Sequence, residues 1–150
     1  MSDKWDIRFL DLAEHISAWS KDPSTKVGCV IVGEDREIRS TGFNGFPRGI
    51  DDDEERLHNR DLKYPLICHA EENAIMHAAR IGVSLKGSVA YVTWPPCSRC
   101  ARSLIQAGIN EGFTEMEWRF QKDGWTILIP QLLCSKKPVS QFVRFSVNQV

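Results

Sequence analysis

The apolar residues Trp5, Phe9, Leu12, Ile16 and Trp19 recur at alternating steps of four and three, the period of an amphipathic helix with one buried stripe. Asp6, Arg8, Asp11 and Glu14 fall between them and are expected mostly on the opposite, solvated face. Pro23 disfavours helical geometry at the residue before it, so this helix should end near Lys21. The pattern then changes. Residues 27–32 (VGCVIV) form a short, β-branched and nearly all-apolar run, as a strand covered on both faces requires. Gly33-Glu34-Asp35 supplies a turn and 38–42 returns, so 27–42 reads as a hairpin.

Further along, Ala70, Ala74, Ile75 and Ala78 share one side of a helix expected over 69–81, and 87–93 (GSVAYVT) reads as a strand. Residues 97–107 suit another helix, stopped by Gly108. A fourth strand is expected within 112–120 and a short terminal one over 142–147. Between them, Gly124 and Pro130 would break or distort any helix over 121–134. Two stretches have no periodicity. Residues 42–49 (GFNGFPRG) carry three glycines and a proline, the composition of an irregular loop where backbone approaches something closely. Residues 51–64 are almost entirely polar and read either as a solvated loop or short surface helix, or as a functional insert. With no repeat, low-complexity tract or linker, residues 1–150 read as a single three-layer α/β domain.

Composition narrows the function classes. At 150 residues with 42% hydrophobic content, the chain is long enough for one apolar core. A net charge of −1 argues against a polyanion-binding surface, so nucleic acid is not the expected partner. Charges interrupt the first 22 residues too often for a secretory leader, and no apolar run approaches the roughly 18 residues of a membrane span. The five cysteines (Cys29, Cys68, Cys97, Cys100, Cys134) are odd in number, and a chain this size needs no disulfide staples. Reduced thiols in a cytoplasmic setting are the expectation.

The chemistry concentrates in two places, His69-Ala70-Glu71 and Pro96-Cys97-Ser98-Arg99-Cys100. A catalytic zinc takes three protein ligands from imidazole and thiolate and leaves a fourth position open, which one His and two Cys supply. Two cysteines three apart at a helix start can face one ion, and the helix N-terminus favours their thiolates. Glu71 sits near His69 without being a ligand and is placed to move protons to and from a metal-activated water. Alone, a Cys-x-x-Cys also fits a redox pair or half of a structural zinc site. Cys68 is a conceivable fourth ligand, although neighbouring residues on a helix point apart.

Together the two halves match the zinc nucleobase deaminase signature His-x-Glu…Pro-Cys-x-x-Cys. With SKDPSTKVGCVIV (20–32), GFNGFPRGI (42–50), KYPLICHAEENAIMHAA (63–79) and YVTWPPCSRCARSLIQAGI (91–109), the chain resembles the cytidine and deoxycytidylate deaminase superfamily, most of all its deoxycytidylate (dCMP) deaminases. The resemblance runs from about residue 5 to 111. It implies a three-layer α/β/α cytidine deaminase-like fold around a central mixed sheet of about five strands. It also implies hydrolytic deamination of dCMP to dUMP and ammonia, supplying dUMP for thymidylate synthesis. The implied site has one Zn2+ on His69, Cys97 and Cys100, with Glu71 protonating N3 and then the leaving amine. Asn44 would bond the sugar or base, Ala70 would contact substrate, and backbone near Trp94 and Pro95 would face the amino group. For the phosphate, Lys26 is the first candidate, with Arg48, Arg60 and Lys63 as further phosphate or effector contacts. Regulated members are typically hexamers that respond to dCTP and dTTP, with Mg2+ accompanying the triphosphate. The C-terminal third departs from the family: Gly112-Phe113-Thr114-Glu115 stands where a clean apolar strand is usual, and Trp118 and Phe120 are the nearby aromatics.

Overall fold

The computed structural model describes residues 3–114 and 143–146. Helix α1 (Asp3–Ser17) leads into the hairpin β1 (Gly28–Val32) and β2 (Ile38–Phe43). Two short helices follow, α2 (Glu54–His58) and α3 (Arg60–Leu66), then α4 (Ala70–Ile81), β3 (Val89–Val92), α5 (Ser98–Gln106), β4 (Glu111–Thr114) and β5 (Val143–Ser146). The sheet order is β2-β1-β3-β4-β5. β1 runs antiparallel to both β2 and β3, β3 and β4 are parallel, and β5 returns antiparallel to β4. Parallel neighbours need a crossover, and α5 supplies it between β3 and β4.

Side-chain alternation explains the layers. From β1 and β3, Val30, Val32, Val89 and Tyr91 pack against Phe9, Leu10, Ala13 and Ile16 of α1. Cys29, Ile31, Ala90 and Val92 face the other way, onto Ala70, Ala74 and Ala78 of α4 and Leu104 of α5. Burying Phe9, Leu10 and Ile16 contributes on the order of 5–9 kcal/mol, at ~1.5–3 each. The expected three-layer α/β/α arrangement, with a mixed sheet of five strands, is the one observed.

The first helix departs from its predicted stripe. It stops at Ser17 rather than near Lys21, and Trp19 is 54% exposed, with its ring edge-on to Phe43. Leu10 and Ala13 take the buried places instead. Asp6, expected in solvent, is buried and accepts a 2.7 Å hydrogen bond from the Tyr91 hydroxyl. The polar insert is two helices capped by Asp53 and Asn59, with Leu57 and Lys63 as their buried residues. β4 ends at Thr114 among the described residues; 115–120, 121–134, Trp118, Phe120 and Cys134 lie outside them. The expected terminal strand is present as β5.

Close approach of α4 to β2 depends on Gly42. A Cβ there would run into the Ala70 carbonyl oxygen and the Ala74 amide nitrogen, both helix backbone atoms that cannot swing aside. Gly42→Ala is expected to destabilise by about 2–3 kcal/mol, the upper part of the overpacking range. Denaturant unfolding checks this, and an unchanged midpoint would show that α4 shifts at no cost.

Candidate active site

His69 and Cys97 occupy equivalent positions, as the N-cap residues of α4 and α5. Both have extended backbone (ψ 158° and 165°), and neither side chain caps its own helix. Each therefore projects off a helix N-terminus instead of folding back on it. Cys100 joins them from the first turn of α5. His69 Nδ1 lies 3.6 Å from Cys97 Sγ and 3.4 Å from Cys100 Sγ, and the three ligand atoms are all within 4.8 Å of one another. A tetrahedral zinc with its usual bond lengths (~2.0–2.1 Å to N, ~2.3 Å to S) has an N···S edge of about 3.6 Å. The donor set and its spacing fit zinc. Cys68 is not part of this group; its backbone pairs with Gly45 across two hydrogen bonds.

Glu71, two residues into α4, is 3% exposed beside the cluster. Burial pushes its carboxyl up to about 7, against the lowering effect of its own amide and of a hydrogen bond with Cys100. Burial also raises the Cys100 thiol strongly, and the charge of Glu71 adds to this. Acidic groups crowded into a dry site favour a bound cation, which relieves both. At the rim, Arg99 donates a 2.7 Å hydrogen bond to Glu72, tying α5 to α4 beside the cluster.

The cluster opens into a cleft of about 440 Å³. Of the residues predicted from sequence, Asn44, Arg60, Lys63, Ala70, Trp94 and Pro95 line it together with His69, Glu71 and Cys97. Lys26 and Arg48 do not: both are exposed and off the cleft wall. Lys26 precedes β1, and Val27 takes the inward place; successive residues of an extended chain alternate in direction. Lys63 lines the cleft but is not a free cation. Its Nζ is 2.6 Å from Asp22 Oδ1, with both side chains buried.

Sequence reading missed Asp22, although it lies in the SKDPST segment. Nothing in the spacing shows that this acid is inside. Its Oδ1 accepts from the Ser24 amide (2.8 Å) and the Thr25 amide (3.3 Å) as well as Lys63, and its Oδ2 accepts from Asn44 Nδ2 (3.3 Å). Burial acts to raise its pKa, but Lys63 and the two amides outweigh it and hold the carboxyl below its ordinary 3.8. The unfolded chain thus binds a proton before the folded one does. Asp22 stabilises the fold fully above its unfolded pKa, and that contribution is lost as pH falls through the lower folded value. In acid unfolding below about pH 4, wild type is expected to lose stability more steeply than Asp22→Asn. Denaturant midpoints against pH check it, and equal slopes refute the assignment.

Comparison with known proteins agrees with this geometry. Residues 3–116 match the family model of the cytidine and deoxycytidylate deaminase zinc-binding region. An uncharacterized deaminase of Aliivibrio fischeri is 47% identical over 111 residues, 74% of this chain and 72% of that protein. Mouse deoxycytidylate deaminase is 42% identical over 113 residues, 72% of this chain; the chain thus spans 62% of the mouse protein's length. The crystal structure of cyanophage S-TIM5 dCMP deaminase with dCMP and dUMP aligns at a TM-score of 0.64 and 30% identity, covering 73% of this chain and 79% of that one. A zinc-spaced His/Cys/Cys cluster beside a buried glutamate, on this sheet and with these relatives, makes the chain a member of the cytidine and deoxycytidylate deaminase zinc-binding family.

Proposed function

We propose that this chain hydrolytically deaminates dCMP to dUMP and ammonia. The observation that carries the reading is Glu71: a 3%-exposed carboxyl, raised to about 7, on the wall of a nucleotide-sized cleft beside the ligand cluster. His69, Cys97 and Cys100 would hold the zinc, which when bound lowers the pKa of water to about 7 and so makes it a nucleophile at neutral pH. Glu71 accepts a proton from the attacking water and delivers it to N3 of the cytosine, then takes the second proton from the hydroxyl added at C4 and passes it to the departing amine. A buried carboxyl beside the ligand cluster is placed for both directions of transfer.

Asn44 reaches the cleft with its amide already held by the chain, so its Oδ1 has one lone pair left for a sugar or base donor. Ala70 contacts the ring, and the backbone at Trp94 and Pro95 faces the amino group. For the phosphate, Arg60 replaces Lys26 as the first candidate, because it lines the cleft and makes no ion pair among the described residues. The same reading carries a homo-oligomer, a hexamer by resemblance, with dCTP and dTTP as effectors and Mg2+ alongside the triphosphate. It also carries a cytoplasmic location, supported by the free thiols of Cys29, Cys68, Cys97 and Cys100. No helix among the described residues is long and apolar enough to cross a membrane.

The test is ammonia release from dCMP, cytidine, cytosine and an RNA stem-loop assayed side by side, with and without dCTP and magnesium. Turnover of dCMP above the others is expected, with sigmoidal kinetics that dCTP makes hyperbolic. Activity on the polymer alone would overturn the substrate, and hyperbolic kinetics indifferent to dCTP would remove the effector.

A further inference from the structure

Asp22 lines the cleft, and its carboxylate is held there by other groups of the chain. An ionised carboxylate offers about four lone-pair sites, and Asp22 receives four donors: the Ser24 and Thr25 amides, Lys63 Nζ and Asn44 Nδ2. Three of them reach Oδ1, and Asn44 alone reaches Oδ2. It can decide how other groups face the cleft: its partners Ser24, Thr25, Asn44 and Lys63 all line it, and it bonds the last two through their side chains.

The first is Asn44. Its Oδ1 accepts from the Val27 amide (2.8 Å), and its Nδ2 donates to the Thr25 carbonyl (2.8 Å) and to Asp22. Turning the amide over would set Oδ1 against a carbonyl and a carboxylate, two acceptors, and the NH2 against an N–H donor. The Val27 amide and the Thr25 carbonyl set the orientation, Asp22 braces it with a longer third bond, and Asn44 offers the cleft an acceptor rather than a donor. The second is Lys63, 6% exposed, which brings α3 against the loop that follows α1. The α2–α3 wall supplies Leu57, His58, Arg60, Tyr64 and Ile67 to the cleft, while Leu57 and Lys63 are the residues it buries. Across this edge of the cleft the buried Lys63–Asp22 pair and the more exposed Lys21–Asp52 pair (2.9 Å) both tie the wall to the loop after α1.

We infer that Asp22 is a positioning residue for substrate binding, bracing the Asn44 amide on one side of the cleft and, through Lys63, holding the α3 wall on the other. The inference rests on the dCMP reading and adds a residue that acts through Asn44 and Lys63. Both effects bear on how the nucleotide is held. Neither touches Glu71 or the metal ligands, so binding should suffer more than chemistry.

Asp22→Asn keeps the volume and removes the charge. KM for dCMP is expected to rise about tenfold, the equivalent of ~1.4 kcal/mol, with kcat changed less and one zinc per chain retained. Buried charge left on Lys63 should also lower Tm. Asp22→Asn/Lys63→Met removes both charges, which tends to restore stability; its Tm should recover while KM stays raised. A wild-type KM in folded Asp22→Asn overturns the inference. So does a double variant in which KM returns together with Tm, since that is the behaviour of structural support alone. If the single variant does not accumulate folded, a wild-type KM in the double variant is still decisive. A wild-type protein that releases no ammonia from dCMP sinks the functional reading itself, a different outcome seen in a different arm.

Discussion

Glu71→Gln is expected to keep the fold and the zinc while lowering kcat by about 10²–10⁴-fold, the range for loss of a positioned general acid/base. The substitution is nearly isosteric, and Glu71 makes no part of the ligand triad, so metal content should not change. What is lost is a group that can take up and give back a proton. At 3% exposure the site leaves little room for bulk water to substitute. Affinity for dCMP should be roughly preserved, because the carboxyl acts on the reacting atoms and the cleft walls do the holding. The measurements are zinc per chain, dCMP binding by calorimetry, and ammonia release in one preparation. Turnover within about tenfold of wild type with zinc bound would remove Glu71 from the proton-transfer role.

The ligand cluster was legible because it depends on residue types at short spacings. His69, Glu71, Cys97 and Cys100 sit at two helix starts, and helix geometry brings each pair onto the cluster with little help from the rest of the chain. Strands β1 and β3 were legible for a related reason: a strand covered on both faces has to be apolar at nearly every position. What sequence did not show was the inside of the polar segments. Asp6 and Asp22 are buried by partners 85 and 41 residues away, Tyr91 and Lys63, and no periodicity reports such a pairing. The stripe of α1 was misjudged through Trp19, whose spacing fits the helix although the chain has already turned at Ser17 to bring Ser20 inward, where its hydroxyl donates to the Asn44 carbonyl. Lys26 lies off the cleft wall by one residue, the distance at which an extended chain changes face.

Cys100→Ala is expected to lose the metal, the activity and the metal-dependent share of stability together. Removing an outer partner of a zinc ligand already costs ~10–100-fold in affinity, so loss of one of three protein ligands should weaken zinc by at least about a hundredfold. Cys100 is the most constrained of the three, 1% exposed and 3.4 Å from His69 Nδ1, with no nearby side chain in the ligand group to replace it. Zinc that binds only the folded protein stabilises it by RT ln(1 + [Zn]/Kd), so wild-type Tm should climb with added zinc and that of Cys100→Ala should not. The sharper expectation concerns the metal-free state. Without zinc, the wild-type thiol is buried beside Glu71, and both groups are pushed away from their charged forms. Alanine removes that burden at the cost of a small void, so chelator-treated wild type and Cys100→Ala should melt within a few degrees of each other (~1 kcal/mol corresponds to ~2–8 °C). Cys68→Ala, outside the cluster, should retain one zinc per chain and the full response. Stoichiometric, wild-type-strength zinc in Cys100→Ala, or zinc loss in Cys68→Ala, would assign the ligands differently; a large gap between the two metal-free proteins would mean that Cys100 supports the fold by packing and not through the metal.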